Sequence, residues 1–430
     1  MSTLKQRDSK VIWHPYTQMK IWPEAIGIVS GKGAIITDED GRDYIDAGSS
    51  WWVNLHGHSH PHIAKRISEQ LLTLEHVIFA GFTHEPAVQL AERLLPLLPG
   101  DMTKVFYSDN GSTAVEVAVK MAIQYWQNKN ERKTKIIALD QAYHGDTFGA
   151  MSISGRSIFT DAFADKLFDV GTIPFPEKGA EELSLQALET LLKNNDVAAF
   201  IVEPLVLGAS GMLMYDAAVL EQFFVLCKKY DTLIIADEVM VGFGRTDSLF
   251  ACQQIETKPD MICLSKGLTG GTVPLGVTAC SQDIFDAFYD DDRTKTLYHG
   301  HSFTGNPVAC TAGLASLDLL LSDECAESRK AIINSHAAFR NSIQHFESIK
   351  DIRQTGTIIA IELETGEGTT YNNKERDFIY RFFLERGILM RPLGNIIYIL
   401  PPYCITQDQL NKVYEAITEL LTLLNTPTRS

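Results

Sequence analysis

The sequence lacks long apolar runs and any excess of basic charge, and each of these absences argues against a class of protein. No stretch of its 430 residues approaches the ~18 consecutive apolar residues of a membrane-spanning helix. The net charge is -16 and the acidic residues are dispersed, which argues against nucleic acid or an anionic membrane as a partner. The polar first residues lack the apolar core of a secretory signal, so we expect a cytoplasmic protein.

Cysteine is scarce, scattered and never arranged as a CxxC pair. An odd number of separated cysteines without a secretory signal indicates neither a disulfide framework nor a zinc site. We therefore interpret them as buried or incidental thiols. The seven are Cys227, Cys252, Cys263, Cys280, Cys310, Cys325 and Cys404.

What the sequence does contain is an alternation of short apolar runs with longer helical patterns. The hydrophobic share of 45% is enough to form a large core. Continuous Ile, Val and Leu content, rather than strict alternation with polar residues, predicts strands buried on both faces of a mainly parallel sheet. The predicted strands are 104–108, 135–140, 198–204, 232–239, 261–266 and 276–281.

The two ends of the chain differ from its centre. Residues 1–48 hold short strand-like pieces interrupted by Gly and Pro, and the chain beyond 310 changes to long helical patterns followed by "GTIIAIEL" and "NIIYILPP". We predict an α/β fold with a large domain over 49–309, in which helices flank the sheet. A smaller α+β domain would combine 1–48 with 310–430.

Polar residues follow the predicted strands, at the edge where open α/β sheets bind ligands. Gly111 and Ser112 open a helix, whose free N–H groups favour an anion such as phosphate, although simple helix capping explains them as well. Tyr143 follows the next strand and could stack on a planar ligand or close the edge of the core. Glu203 and Asp237 end apolar strands, where a carboxylate needs a partner or a function.

Lys266 ends the next predicted strand, where loss of solvation lowers the pKa of an amine and favours a nucleophile. A pyridine cofactor that carries an aldehyde needs such a lysine for a Schiff base. It also needs a carboxylate for its ring nitrogen, an aromatic side chain over the ring and an anion site for its phosphate. Lys266, Asp237, Tyr143 and the pair Gly111 and Ser112 provide this set, which predicts a pyridoxal phosphate enzyme.

Longer motifs strengthen this prediction. The segments "IIADEVMVGFGRTDSLFACQ" and "HGHSFTGNPVAC", with Lys266 between them, resemble the class III (omega) aminotransferases of fold type I over essentially the whole chain. The resemblance implies that Lys266 forms the Schiff base, Asp237 pairs with the pyridine nitrogen and Tyr143 stacks on the ring. It also implies a homodimer with shared active sites. The other implied cofactor residues are Gly111, Ser112, Glu203 and, reaching the phosphate across the subunit boundary, Ser302.

Four further segments, "IWHPYTQM", "AGSSWWVNLHGHSHP", "FAGFTHEPA" and "MRPLGNIIYILPPY", resemble the subgroup of this class that acts in biotin synthesis. That resemblance implies amino transfer to 8-amino-7-oxononanoate, with S-adenosylmethionine as the expected donor and lysine as the alternative. Arg391 would anchor the carboxylate of the keto acid, and Trp51 and Trp52 would line its alkyl chain. The implied substrate residues are Tyr16, Trp51, Trp52, Arg245 near the site mouth, Lys266, Gly300, Arg391 and Tyr398.

Two other functions stay open from sequence alone. Another omega-aminotransferase, acting on ornithine, 4-aminobutyrate or a diamine, would keep Lys266 and Asp237 but would not explain the tryptophan pair. A metal-binding protein could use the alternating histidines His56, His58, His60 and His62. Gly57 and Pro61 disfavour a regular strand there, and no cysteine or carboxylate spacing accompanies the histidines. We therefore expect no metal and interpret them as polar residues of a loop and a helix start beside the site.

Overall fold

The elements that position the site were located in a computed structural model, in which residues 3–22, 24–366 and 368–425 are described. Within these residues the strands are β1 Ile28–Lys32, β2 Ile35–Asp38, β3 Asp43–Asp46, β4 Met102–Ser108, β5 Lys135–Leu139, β6 Gly171–Ile173, β7 Val197–Val202, β8 Val206–Leu207, β9 Leu213–Met214, β10 Leu233–Asp237, β11 Met261–Leu264, β12 Gly276–Ser281, β13 Ile349–Thr355, β14 Ile358–Leu363, β15 Ile388–Leu389 and β16 Ile396–Ile399. The helices are α1 Leu4–Asp8, α2 Ser49–Trp52, α3 Pro61–Thr73, α4 Glu85–Leu94, α5 Gly111–Asn128, α6 Phe148–Ser152, α7 Glu181–Leu192, α8 Ala217–Lys229, α9 Gln282–Asp286, α10 Pro307–Leu320, α11 Asp323–Ile343, α12 Glu375–Glu385 and α13 Gln407–Asn425.

The central sheet has the strand order β4-β12-β11-β10-β7-β5-β6. Neighbours from β11 to β6 run parallel, whereas β12 is antiparallel to both β4 and β11. Every residue of β7, β10 and β11 is buried, as the continuous apolar runs predicted. All six predicted strands are present and the predicted α/β class is confirmed. The short strand β6 was not predicted.

Helix α5 carries one face of this sheet and begins at its edge. The side chain of Asn110 accepts the N–H of Thr113 and caps the helix, and the Thr113 hydroxyl in turn accepts the N–H of Asn110. Buried Val115, Ala118 and Ala122 lie on the face that packs against the sheet. This packing fixes the helix start beside the ends of the parallel strands.

Two smaller sheets come from the chain ends. One has the order β1-β2-β3-β15 and joins strands near the start of the chain to one near its end. The other, β13-β14-β16, is antiparallel throughout. The combination of both chain ends agrees in kind with the expected smaller α+β part, while the boundaries 1–48, 49–309 and 310–430 remain a prediction.

The interior matches the composition. Six of the seven cysteines are buried free thiols, and Cys404 is exposed. None of the helices in the described parts of the chain combines the length and the apolar character that a bilayer crossing needs. In open α/β sheets, ligands bind at the carboxyl ends of the strands, so the active site is expected at that edge of the central sheet.

Candidate active site

A cavity of about 780 Å³ lies at the carboxyl ends of the parallel strands. It is called the site cavity below, and its volume falls within the range of small-molecule sites. The structure brings together there nine of the residues that the sequence singled out: Tyr16, Trp51, Trp52, Gly111, Ser112, Tyr143, Glu203, Asp237 and Lys266.

Lys266 enters the site cavity just beyond β11. Its backbone φ is 41°, in the left-handed region that most residues avoid, so the chain stores strain where it presents this amine. Its Nζ lies 5.0 Å from the centre of the Trp52 ring. Burial lowers the pKa of Lys266, and the nearby carboxylates of Asp237 and Glu203 act in the opposite direction. The amine is therefore suited to attack an aldehyde.

Asp237 is the last residue of β10 and is buried. Its Oδ2 lies 2.7 Å from Nδ1 of His144, which is buried too, and its Oδ1 accepts the N–H of Val239 at 3.1 Å. These contacts fix the carboxylate so that it can hold a proton on a facing ring nitrogen. The role of His144 was not predicted, although its place in the polar loop beside Tyr143 was the available signal.

Glu203 follows β7 and holds two loops. Its Oε1 accepts the N–H of Tyr143 at 2.9 Å and its Oε2 accepts the N–H of Gly208 at 3.0 Å. Burial raises the pKa of Glu203 to about 7. Because both oxygens bond to backbone, the carboxylate positions Tyr143.

The start of α5 provides an anion site whose shape depends on glycine. A Cβ on Gly111 would lie 2.7 Å from Cγ1 of Val239. A Cβ on Gly145, whose φ is +132°, would lie 2.0 Å from Oγ of Ser112. The loop and the helix start therefore approach each other more closely than any side chain allows. Free N–H groups at such a helix start fit a phosphate.

The opposite wall of the site cavity is aromatic. The hydroxyl of Tyr16 donates to Asp146, 2.7 Å and 2.6 Å from its two carboxylate oxygens, and lies 3.4 Å from the hydroxyl of Tyr143. The Tyr16 ring meets Trp51 and Phe159 edge to face, with centroids 5.4 Å and 5.5 Å apart. Burial raises the pKa of Tyr16, so its hydroxyl stays protonated as a donor. Asp146 and Phe159 were not predicted.

The tryptophan pair lies on a strained turn. The φ angles of Ser49, Ser50 and Trp52 are 51°, 62° and 66°. Asp46 holds this turn, because its carboxylate accepts both the N–H and the hydroxyl of Ser50 at 2.7 Å and 2.9 Å. The strain is thus imposed by local hydrogen bonds at a substrate wall.

Arg391 and Tyr398 lie behind this wall. Arg391 lines a neighbouring cavity of about 680 Å³, and its guanidinium is 5.4 Å from the centre of the Trp51 ring. Its Nη2 donates to the carbonyl of Tyr16 and to the hydroxyl of Tyr371, at 2.9 Å and 3.3 Å. Tyr398 is buried, with its ring 6.1 Å from that of Trp52. Neither lines the site cavity directly, and both support residues that do.

The expected position of Arg245 was wrong. Its side chain does not reach the site mouth, because only 1% of the residue is exposed. The guanidinium instead donates to the carbonyls of Pro401 and Asn54 and to the hydroxyl of Ser49, at 2.7 Å, 3.2 Å and 3.0 Å. Arg245 therefore ties the tryptophan turn to the C-terminal part of the chain.

Gly300 and Ser302 lie outside the site cavity of their own chain. Both are exposed, in a segment just before α10. Within one chain the structure does not bring them to the other predicted residues, and their role at a second subunit remains a prediction.

The histidines of the alternating tract each have an ordinary place. His56 lies 3.0 Å from the Ser316 hydroxyl, His58 lies 2.9 Å from Asp46, and His62 lies 2.8 Å from Asp318. His60 directly precedes α3. Across the described part of the chain, no three His, Cys, Asp or Glu side chains form a group that could hold a metal ion.

The fold and the site cavity define a pyridoxal phosphate enzyme of fold type I. Residues 19–421 match the family model described as Aminotransferase class-III. The chain is 47% identical over 418 residues to an adenosylmethionine-8-amino-7-oxononanoate aminotransferase of Synechococcus elongatus, covering 95% of this chain and 98% of the relative. A second relative with the same name, from Geobacter sulfurreducens, is 40% identical and covers 96% of both chains.

Solved structures agree. The crystal structure of the adenosylmethionine-8-amino-7-oxononanoate aminotransferase of Methanocaldococcus jannaschii has a TM-score of 0.91 at 36% identity, covering 97% of this chain and 98% of that one. A PLP-bound amine transaminase from an uncultivated Pseudomonas species has a TM-score of 0.90 at 27% identity, covering 96% and 98%. This chain belongs to the class III aminotransferases.

Proposed function

We propose that the protein transfers an amino group to 8-amino-7-oxononanoate, giving 7,8-diaminononanoate for biotin synthesis in the cytoplasm, with S-adenosylmethionine as donor. The observation that carries this proposal is the aromatic wall opposite Lys266. Trp51 and Trp52 present apolar surface beside the reactive amine, and Arg391 packs directly behind Trp51. An apolar path between an amine and a cation suits a keto acid with a long alkyl chain. The names of the relatives point to the same substrates.

Different residues would serve different steps of transamination. Pyridoxal phosphate, when bound, supplies an aldehyde and an electron-withdrawing ring. Lys266 would hold that aldehyde covalently and, once displaced by the donor, its Nζ would take the proton from the amine-bearing carbon of the donor. Asp237, fixed by His144, would keep the ring nitrogen protonated. Gly111 and Ser112 would bind the phosphate, and Tyr143 would stack on the ring.

On the substrate side, Arg391 would bind the carboxylate of the keto acid. The bonds to Tyr16 and Tyr371 both come from Nη2, and the guanidinium has further N–H donors on Nη1 and Nε that could bind a carboxylate. Tyr398 would support Trp52 from behind.

We further propose a homodimer in which Gly300 and Ser302 complete the site of the other subunit. Tyr298 and Phe303 flank them and expose 74% and 65% of their surface, which suits a protein contact. Mixing a Lys266→Ala chain with a Ser302→Ala chain should restore one wild-type site per mixed dimer. Activity that stays at the sum of the separate variants would contradict shared sites.

The substrate is tested by comparing acceptors. The purified protein with pyridoxal phosphate and S-adenosylmethionine should aminate 8-amino-7-oxononanoate far faster than 2-oxoglutarate. Preference for 2-oxoglutarate, with ornithine, 4-aminobutyrate or a diamine as donor, would favour the alternative omega-aminotransferase.

A further inference from the structure

A second cavity, of about 840 Å³, adjoins the site cavity and is not used by the proposed acceptor. It is called the adjoining cavity below. The two cavities share Tyr143, Asp146, Phe159 and Tyr371 in their walls. The site cavity alone already has the volume of a site for a drug-sized ligand. The proposed keto acid is an unbranched chain that runs from Lys266 along the tryptophan wall toward Arg391, which lines a different cavity, so it would not enter the adjoining cavity.

The wall of the adjoining cavity offers flat aromatic surface. Phe159 and Tyr371 meet edge to face on the shared wall, with centroids 5.0 Å apart. Phe175 also lines the adjoining cavity and is held edge to face against Tyr215, with centroids 6.0 Å apart. Rings fixed in this way can receive a planar ligand group at little cost in side-chain entropy.

Charged side chains of both signs line this wall, five acidic and four basic. Lys350 and Arg353 are both paired with the carboxylate of Glu362, at 2.8 Å and 2.9 Å. Arg156 donates to the backbone carbonyls of Met151, Ser152 and Ser154.

Asp351 is paired with Arg353 at 2.6 Å, and Lys178 is the fourth basic residue of the wall. The other carboxylates are Asp140, Asp146 and Glu177. Asp140 accepts the N–H of Phe175 at 3.2 Å, and Asp146 accepts the Tyr16 hydroxyl. No salt bridge joins either of these two to a basic side chain within the described residues. Two aspartates therefore face the cavity beside its aromatic surface.

We propose that the adjoining cavity binds the non-reacting part of the amino donor, a cationic group that carries a planar ring system. This inference rests on the proposed function. Donor and acceptor react in turn at the same point beside Lys266, so they share the site cavity and must differ in what extends beyond it. A sulfonium with an attached purine has this chemistry, whereas lysine has a cation without a ring. The adjoining cavity would thus set the choice of donor.

The test compares two amines that react with the same cofactor. S-adenosylmethionine is the bulky donor, and 7,8-diaminononanoate, the product in reverse, is the slim one. Met214→Trp and Ile158→Trp each place a large side chain in the adjoining cavity only. Leu183→Trp, at a position on α7 that is 63% exposed, is the matched control. Asp140→Asn removes the charge while keeping an acceptor for Phe175.

Single-turnover rates over a range of amine concentrations give the apparent dissociation constant of each amine. Filling the adjoining cavity should raise the apparent dissociation constant of S-adenosylmethionine about tenfold or more. The constant of 7,8-diaminononanoate should stay within about twofold of the wild-type value. Asp140→Asn should also raise the apparent dissociation constant of S-adenosylmethionine, by a smaller factor. If filling leaves both amines unchanged, or weakens both equally, the inference is overturned. A wild-type protein that reacts with neither amine overturns the proposed function itself, and the inference with it.

Discussion

The two walls of the site cavity are built in different ways. On the cofactor side, Asp237 ends one regular buried strand and Glu203 follows another, and their carboxylates contact His144 at 2.7 Å and the N–H of Tyr143 at 2.9 Å. On the substrate side, Tyr16 and Trp52 have φ angles of 51° and 66°, in the left-handed region, and Trp51 lies in the same irregular turn as Trp52. Partners distant in sequence, such as Arg391 and Arg245, hold that wall in place. The difference shows that regular buried strands position the two carboxylates of the cofactor side, whereas strained turns and contacts with distant parts of the chain position the substrate wall. Lys266, with a φ of 41°, is the strained residue of the cofactor side.

The largest effect is expected on the cofactor side. Lys266→Ala should lower kcat by about 10⁴-fold or more, because the attacking amine and the proton carrier are lost together. Circular dichroism and sedimentation should remain those of the wild type. Near-normal turnover by this variant would contradict the assigned role of Lys266.

On the substrate side, replacing Trp51 and Trp52 together by Ala should weaken the binding of 8-amino-7-oxononanoate by about 100-fold, because the apolar contact with two aromatic rings is lost. Changes in KM and kcat should be measured separately. The control is the triple variant His58→Asn, His60→Asn, His62→Asn, which should cost far less. Equal losses would show that the tryptophans have no special role.

Arg391→Ala should raise the KM for the keto acid by about tenfold, because a charge-assisted pair to the carboxylate is lost. The donor half-reaction should change little. Arg391→Lys should recover part of the loss, since it keeps the charge without the planar fork. A defect confined to the donor half-reaction would contradict the proposal that Arg391 binds the carboxylate of the keto acid.

The smallest effect links the two walls. Burial lowers the pKa of Lys266, and the Trp52 ring lies 5.0 Å from its Nζ. Trp52→Ala should admit water, which stabilises the ammonium and returns the pKa toward its ordinary value. The rate at which apoenzyme takes up pyridoxal phosphate rises as the amine deprotonates, so its pH profile should move to higher pH. An unchanged profile would show that Trp52 does not exclude water from Lys266.

The sequence predicted the cofactor side better than the substrate side for a physical reason. Apolar runs long enough to cross the sheet identify strands, and a charged residue at the end of such a run, such as Asp237, marks the functional edge. The three-residue β6 is too short for that signal and begins with glycine. Six of the seven strands of the central sheet were therefore predictable from local pattern.

Long-range partners were not predictable from the same patterns. The position of His144 in a polar loop marks it as a candidate but does not reveal its contact with Asp237, and nothing near Tyr16 reveals Asp146. Arg245 was misplaced because its burial depends on acceptors such as the Pro401 carbonyl, which folding brings from the far end of the chain. A resemblance transfers a residue type to a position, whereas only the packed chain shows what that residue contacts.

The central claim is that this site moves nitrogen onto 8-amino-7-oxononanoate. In the most direct measurement, the enzyme first reacts with S-adenosylmethionine, so that it carries the amino group, and the free donor is removed. Then 8-amino-7-oxononanoate is added and the amount of product per active site is measured. The account predicts close to one 7,8-diaminononanoate per active site and none from the Lys266→Ala variant. Loaded enzyme that returns its nitrogen to 2-oxoglutarate and not to 8-amino-7-oxononanoate would contradict it.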